Sequence, residues 1–555
     1  MARSFAHLHP IHGGLHLPAQ KAMSTRRPLE TLGIPERLVF PLQQHIGEPA
    51  VPVVEPGERV LRGQLIARAE GYVSVPLHAS SSGRVREIAE HPVPHPSGLS
   101  APCIVIDTDG EDRWHESVAP VEDYRALDPS ALRNRIRDAG IVGLGGAGFP
   151  SFIKMNPGPQ RRIELLVING AECEPYISCD DMLMRTRPDS IVRGIEILLH
   201  ALDAPECVIG IEDNKPEAID ALRTHLAQRG LEHIQVAVVP TLYPTGGERQ
   251  LIRILTGLEV PSQGLPADIG IVCHNPGTAA AIDAAIHRGE PLVSRIVTVT
   301  GEGIREPRNL EVRVGTLMRE LIDAAGGYTD DVDRLIMGGP MMGFALPSDD
   351  LPVIKTTNCL LASTRAVMPP PPEPVPCIRC GACAEVCPAQ LLPQQLYWHA
   401  HARDFDRIQD YHLFDCIECG CCAHVCPSHL PLVQYYRYAK TEIWTQERER
   451  EKADLARRRH EFRLERLERE KAERQARLRK RKKAVEKKGD DADAARKAVI
   501  QAALERARAR KAAGDIPPPA NTENLTEAQQ RQIAEAEKRR EQARSSRPDN
   551  DGSPH

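Results

Sequence analysis

A chain of 555 residues exceeds what one hydrophobic core usually organises, and implies three or more domains. Its net charge of −5 hides a split: residues 446–555 carry 31 basic and 22 acidic side chains, whereas 1–445 carry 40 and 54. An acidic body with 4% aromatic residues excludes a dedicated nucleic-acid binder, which needs a basic face or stacking platforms.

No apolar run is long enough to predict a transmembrane helix, and the opening MARSFAHLHPIHGG lacks the apolar stretch of a secretion signal. Fifteen cysteines in such a chain point to metal or redox chemistry rather than disulfides. Residues 37–110 break into short runs split by turn signals, as in PVVEPGERVLRGQLIARAEGYVSV, which predicts short strands and tight turns. From 126 to 290 the apolar runs ELLVING, ECVIGIED and QVAVVP alternate with helical stretches such as DSIVRGIEILLHAL and KPEAIDALRTHLAQRG. That alternation predicts α/β units on a largely parallel sheet. Residues 294–345 return to strands followed by one helix, a small α+β module. Pro369–Pro372, with Pro374 and Pro376, reads as a stiff linker. Beyond 445, Ala, Glu, Lys and Arg dominate and suit a long solvated helix with i,i+4 charge pairs, whereas PPPANTEN and SSRPDNDGSPH read as disordered.

Nine of the cysteines fall between 377 and 426. Cys377-x2-Cys380-x2-Cys383-x3-Cys387-Pro is followed by Cys416-x2-Cys419-x2-Cys422-x3-Cys426-Pro, the spacing of bacterial two-cluster ferredoxins. Two-residue gaps let three thiolates on one loop reach three irons of a cubane, while the fourth enters a helix and reaches the other cluster. Cys377, Cys380, Cys383 and Cys426 are therefore assigned to one [4Fe–4S] cluster, and Cys416, Cys419, Cys422 and Cys387 to the other. Zinc would gain nothing from the duplication. Cys421 is off register and reads as a packed thiol, and Tyr397, Trp398 and Tyr411 read as helix packing.

Four further turns sit near strand ends or helix starts. They are Gly143-Leu-Gly145-Gly146-Ala-Gly148-Phe149-Pro with Lys154 beyond it, the segment holding Asn169, Glu172 and Glu174, Tyr243-Pro-Thr-Gly-Gly-Glu248, and His274-Asn-Pro-Gly-Thr278. Closely spaced glycines let backbone amides approach a phosphate, and α/β sheets place ligands at strand ends. One shared crevice explains the four turns together.

With HPIHGGLH, GLGGAGFPSFIKM, NGAECEPYISCDD, PTGGERQL, GGPMMG and the paired cysteine motifs, residues 5–440 resemble the RnfC (RsxC) family, a subunit of Rnf ion-translocating oxidoreductase complexes. The middle region is also similar to the flavoprotein subunit of respiratory complex I. That similarity implies that Gly143, Gly145, Gly146, Gly148, Lys154 and Asn169 lie against FMN, and that Phe149, Glu172, Glu174 and Glu248 lie near FMN or NAD(H). Leu144, Ala171 and Gly247 depart from that relative, which has Arg, an acid and Glu there, and His274 and Pro276 break its Asn-Asn-Val segment.

The resemblance implies a multidomain α/β and α+β chain. Its parts are an N-terminal segment (1–36), a barrel-sandwich-like β domain (37–125), an FMN/NAD(H)-binding α/β domain (126–290) and a β-grasp-like module (291–360). A Pro-rich linker (361–376), a 2x[4Fe–4S] ferredoxin domain (377–440) and a charged helical tail (441–555) follow. ARAEGYVSVPLHA contains no lysine, so the β domain is not expected to be a lipoyl or biotinyl carrier. The function implied is electron transfer between NAD(H), FMN and two [4Fe–4S] clusters. The expected partners are membrane-embedded and ferredoxin-like Rnf subunits, with the chain peripheral on the cytoplasmic side of the bacterial inner membrane. The residues alone leave two rivals: a cluster-bearing wiring protein without flavin, and a diaphorase subunit of a soluble dehydrogenase or hydrogenase.

Overall fold

The computed structural model describes residues 5, 7–158, 161–486, 493–513 and 525–545. The chain divides into two compact units, Met1–Glu447 and Arg448–His555.

In the first unit the β domain consists of two small sheets. One pairs Arg37–Pro41, Ser100–Thr108, Gly83–Pro92 and Arg59–Val60, and the other pairs Val51–Pro52, Leu65–Arg68 and Leu77–His78. Strand alternation sends Leu38, Phe40, Ile104 and Ile106 into the core between the sheets. The intervening Val39, Cys103 and Val105 face the other way and pack against Leu317 of the next module.

The α/β domain is built on four parallel strands in the order Ile234–Val239, Cys207–Glu212, Leu165–Gly170, Ile271–His274. Both faces are covered, which is why LLVING and CVIGIE read as continuous apolar runs. Leu166 and Ile168 bury on one side, and Leu165 and Val167 on the other. Helix Pro188–Leu202 lies so close to helix Pro276–Asp283 that a Cβ on Gly194 would stand 1.9 Å from the Ala279 carbonyl oxygen.

The third module is a six-stranded mixed sheet in the order Glu30–Thr31, Arg308–Arg313, Ser294–Thr300, Cys359–Thr364, Val332–Met337, Phe344–Leu346, with helix Met318–Ala324 packed on it. Two boundaries differ from the sequence reading. Cys359–Thr364 is fully buried between two strands, so 361–364 complete the sheet instead of starting the linker. Glu30–Thr31 adds an edge strand, so the 1–36 segment is woven into later modules. The same segment threads on to the cysteine module, where Gly14 N–H donates to the Val386 carbonyl, and a Cβ on Gly13 would lie 2.5 Å from that oxygen.

The cysteine module repeats itself at the level of the backbone. Arg379, Gly381 and Gln390 have positive φ, and so do Glu418, Gly420 and His429 at the corresponding positions of the second motif. The equal spacing of the thiols thus rests on two identically wound loops. Tyr397 and Trp398 lie on helix Pro393–Ala402, and Tyr411 stacks on His399. The Pro-rich linker is exposed and ends tied to the second motif, with Val375 N–H on the Ser428 carbonyl at 3.0 Å.

The second unit is helical, with Asp493–Ala512 and Glu527–Ser545 following the end of Leu432–Glu486. Its described side chains are almost all exposed and include i,i+4 pairs such as Arg466–Glu470 at 3.6 Å. Such pairs add only a few tenths of a kcal/mol each. PPPANTEN and residues 546–555 lie outside the described residues.

Lys355 staples three modules of the first unit. Its Nζ donates to the carbonyls of Pro76 in the β domain (2.9 Å) and Gly140 in the α/β domain (2.6 Å). Burial pushes the ammonium down to about 7, beside His78, which burial and Lys355 hold neutral. The unfolded chain therefore holds this proton more tightly between about pH 7 and pH 10, and the cost of burying a charge is relieved as pH rises. Lys355→Met escapes that cost. The difference in Tm between Lys355→Met and wild type is expected to move steadily in favour of wild type from pH 7 to pH 10. A pH-independent difference would contradict the buried amine.

Candidate flavin crevice and iron–sulfur sites

The parallel strands end at Gly170, Glu212, Val239 and His274, and the four turns singled out in the sequence meet at this edge. The glycine hairpin is closed by Gly143 N–H on the Phe149 carbonyl (2.8 Å) and a Val142–Pro150 bridge. Gly145, Gly146 and Ala147 at its tip are exposed, Gly148 is buried, and Phe149 is half-buried. Gly146 has a φ of 106° with open space where a side chain would stand. Gly145 leans on Asn275, and Gly148 has no room for a Cβ beside Thr356. Leu144 turns inward, its N–H donating to Thr278 Oγ1 (3.0 Å) and its carbonyl accepting from buried Arg295.

Asn275 links the hairpin to the rest of the edge. Its Oδ1 caps helix Pro276–Asp283 through Gly277 N–H (2.8 Å), and its Nδ2 donates to Asp180 Oδ2 (2.6 Å). Lys154 Nζ donates to Glu248 Oε1 (2.6 Å) and to the Cys273 carbonyl (3.1 Å). Burial alone would lower the Lys154 ammonium, but Glu248 and Cys273 hold it above its ordinary value. The two expected ligand-facing charges therefore neutralise one another. Asn169 Nδ2 donates to the Gly246 carbonyl (2.8 Å), joining the first strand end to the 243–248 turn.

Glu172 and Glu174 point into the protein. Glu172 accepts from the amides of Asp180 (2.8 Å) and Asp181 (3.2 Å), capping helix Cys179–Thr186. Burial pushes its carboxyl up to about 8, against the pull of Lys21. Glu174 Oε1 accepts from the amides of Met341 (2.6 Å) and Met342 (3.0 Å), binding the GGPMMG turn to the crevice loop. Burial raises it too, opposed by those amides and by Tyr243.

The loop carrying these carboxylates is held by two buried lysines. Lys21 Nζ donates to the carbonyls of Glu172 (2.7 Å), Glu174 (3.2 Å) and Ile177 (2.6 Å). Lys215 Nζ donates to the Ala171 carbonyl (2.6 Å), Asn214 Oδ1 (2.7 Å) and Glu212 Oε2 (3.3 Å). Sequence reasoning missed Lys21, Lys215, Asp180, Asn275 and Arg295. The Asn275-Pro276 pair, an N-cap followed by Pro, was the one local signal.

The edge suits a flavin mononucleotide on two observations. The hairpin tip offers backbone without side chains beside a capped helix start. Four buried polar atoms at the strand ends and adjoining helix starts, Ser151 Oγ, Glu212 Oε1, Gln250 Oε1 and His274 Nε2, find no partner in the chain.

The thiols form two sites. Cys387, Cys416, Cys419 and Cys422 line one pocket, walled by Leu391, Leu396, Val433 and Tyr436. Cys387 thus crosses over from the first motif to the second. At the other site Tyr397 faces both Cys377 and Cys426, Cys383 neighbours Cys377 and Cys380, and Cys380 is exposed. Four thiols around an enclosed, largely apolar pocket fit a cubane. Cys421 is buried beside Cys419 in an apolar cluster with Tyr243.

Four family models match in chain order: RnfC Barrel sandwich hybrid domain over 9–111, Nuo51 FMN-binding domain over 136–284, SLBB domain over 296–345, and 4Fe-4S dicluster domain over 376–430. Fold and site define an iron–sulfur protein in which an FMN-binding domain and a dicluster domain share one compact unit. The chain is 50% identical to the RnfC subunit of the ion-translocating oxidoreductase complex of Pseudomonas aeruginosa, covering 91% of this chain and 66% of that protein. It is 48% identical to the protein of that name from Pectobacterium atrosepticum (90% and 71%) and 45% identical to that from Serratia proteamaculans (96% and 74%). The chain belongs to this RnfC family and spans about two thirds of the length of several curated relatives. A crystal structure of an NAD+-reducing [NiFe]-hydrogenase overlaps partially, at 18% identity and a TM-score of 0.39, covering 51% of this chain and 54% of that one.

Lys21→Met is expected to cost about 3–5 kcal/mol, because it leaves Glu172 buried without its counter-ion and three carbonyls without donors. Urea unfolding measures this, and a loss below about 1 kcal/mol, the worth of an exposed ion pair, would contradict the loop's dependence on Lys21.

Proposed function

We propose that this chain passes electrons between NAD(H) and two [4Fe–4S] clusters through FMN held at the strand-end crevice. When bound, FMN exchanges two electrons with a nicotinamide and single electrons with a cluster, and so joins the two kinds of carrier. The observation that supports this most directly is the shared wall of crevice and inner thiol pocket, where the Tyr243 hydroxyl meets the Cys419 carbonyl at 2.6 Å.

The chain's own residues then have distinct tasks. The Gly145–Ala147 backbone admits the flavin closely, and Asn169 fixes the 243–248 turn beneath it. Lys154 and Glu248 present a neutral pair at the rim, where Phe149 also stands. Glu172 and Glu174 position the loop through helix and turn amides. Leu391, Leu396, Val433 and Tyr436 keep water from the inner thiols, while exposed Cys380 puts the other site at the surface. The route runs from crevice to inner cluster to outer cluster, and from there to a partner.

The relatives' names make this a subunit of an ion-translocating complex. Among the described residues no helix is long and apolar enough to cross a membrane. Ion movement belongs to membrane-embedded partner subunits, with ferredoxin-like subunits sharing the electron path. This chain sits against them at the cytoplasmic face of the inner membrane.

Anaerobic purification of the chain is expected to yield about one flavin and about eight irons, with NADH bleaching flavin and clusters together. Gly146→Trp, which fills the hairpin tip, is expected to abolish flavin and leave the iron content unchanged. Clusters without flavin in the unaltered chain would overturn the reading.

A further inference from the structure

Tyr243 stands between the crevice and the inner cysteine pocket and is almost fully buried, at 3% exposure. Its backbone is clamped by the N-terminal segment: Tyr243 N–H donates to the Leu15 carbonyl (2.9 Å), and Leu15 N–H donates to the Tyr243 carbonyl (2.7 Å). Its ring packs with Cys173 on the crevice side and with Cys419, Cys421 and Ile417 on the cysteine side. A phenylalanine would fill the same space. The hydroxyl is what distinguishes tyrosine here, and a buried hydroxyl is tolerated when it finds a partner. Its one proton goes to the peptide carbonyl of Cys419, a residue assigned to the inner cluster. On its other side the hydroxyl meets Glu174, which is anchored by the Met341 and Met342 amides.

Tyr436 provides an internal comparison. It is as buried, it borders the same pocket, and its hydroxyl donates to the Pro393 carbonyl at 2.7 Å. That bond stays within the cysteine module, whereas Tyr243 reaches across from the crevice. The docking does not hang on Tyr243 alone, since Arg249 pairs with Asp415 at 3.0 Å and Ser262 also bonds that carboxylate.

We infer that Tyr243 is a positioning residue for electron passage between crevice and inner cluster. Its hydroxyl holds the Cys419 peptide against the crevice and, by drawing on that carbonyl, makes the inner cluster easier to reduce. The inference rests on the crevice and thiol pocket holding flavin and clusters as proposed above.

The test is Tyr243→Phe in the full chain, purified anaerobically with its iron, in a redox titration followed by electron paramagnetic resonance. The inner cluster's signal is identified as the one lost in Cys416→Ser. Its midpoint is expected to shift to lower potential, with the outer cluster and the iron content unchanged. Flavin-to-cluster electron transfer after NADH mixing is expected to slow several-fold in Tyr243→Phe and to keep its wild-type rate in Tyr436→Phe. Unchanged potentials in Tyr243→Phe would overturn the inference. So would equal shifts of both clusters, or loss of both, since these mark a general structural role. A wild-type chain with no flavin and no cluster signals would instead overturn the proposed function, and this inference with it.

Discussion

Buried ammonium groups that spend their protons on carbonyl oxygens are the constraint on which the first unit depends. A strand-end loop leaves the sheet ladder and must find donors elsewhere, because an unpaired buried carbonyl costs about 1–3 kcal/mol. Lys21 and Lys215 each present three donors, the full capacity of an ammonium, and between them satisfy the carbonyls of Ala171, Glu172, Glu174 and Ile177. The positive charge brought in this way meets Glu172, Glu212 and Asp180, none of which could remain buried alone. Lys355 does similar work between modules, without a carboxylate partner. The result is a loop with little freedom at the place where a flexible one would be useless for orienting a flavin.

That rigidity extends to the cysteine module. The N-terminal segment supplies Lys21 to the crevice loop, Leu15 to Tyr243 and Gly14 to the first cysteine motif, so one strand of chain fastens three parts that are far apart in sequence. Glu174 and Tyr243 continue the connection from the GGPMMG turn to Cys419. An electron carrier has use for such lacing, since its two sites must keep a fixed separation through every turnover.

Some of this was readable in the residues. The cysteine spacing carried its own geometry, and LLVING announced a strand buried on both faces. The four turns could be grouped because each followed a strand or opened a helix, and they do gather at one edge. What remained hidden has a physical reason in each case. Lys21 lies in the unremarkable LPAQKAMS, and its acceptors are about 150 residues away, beyond any local pattern. Glu172 and Glu174 look like ligand-facing acids from their place after a strand, yet tertiary packing turns both toward amides. Cys359–Thr364 was split between sheet and linker, because a short apolar run before a proline stretch does not show that it closes a sheet from the middle.

The central claim is an order, with the crevice next to the inner thiol pocket and the second site outward of it. It is tested most directly by mixing the anaerobic, iron-loaded chain with NADH and freezing samples during the first turnover for electron paramagnetic resonance. The signal missing from Cys416→Ser should rise first, followed by the signal missing from Cys380→Ser. The reverse sequence would contradict the account.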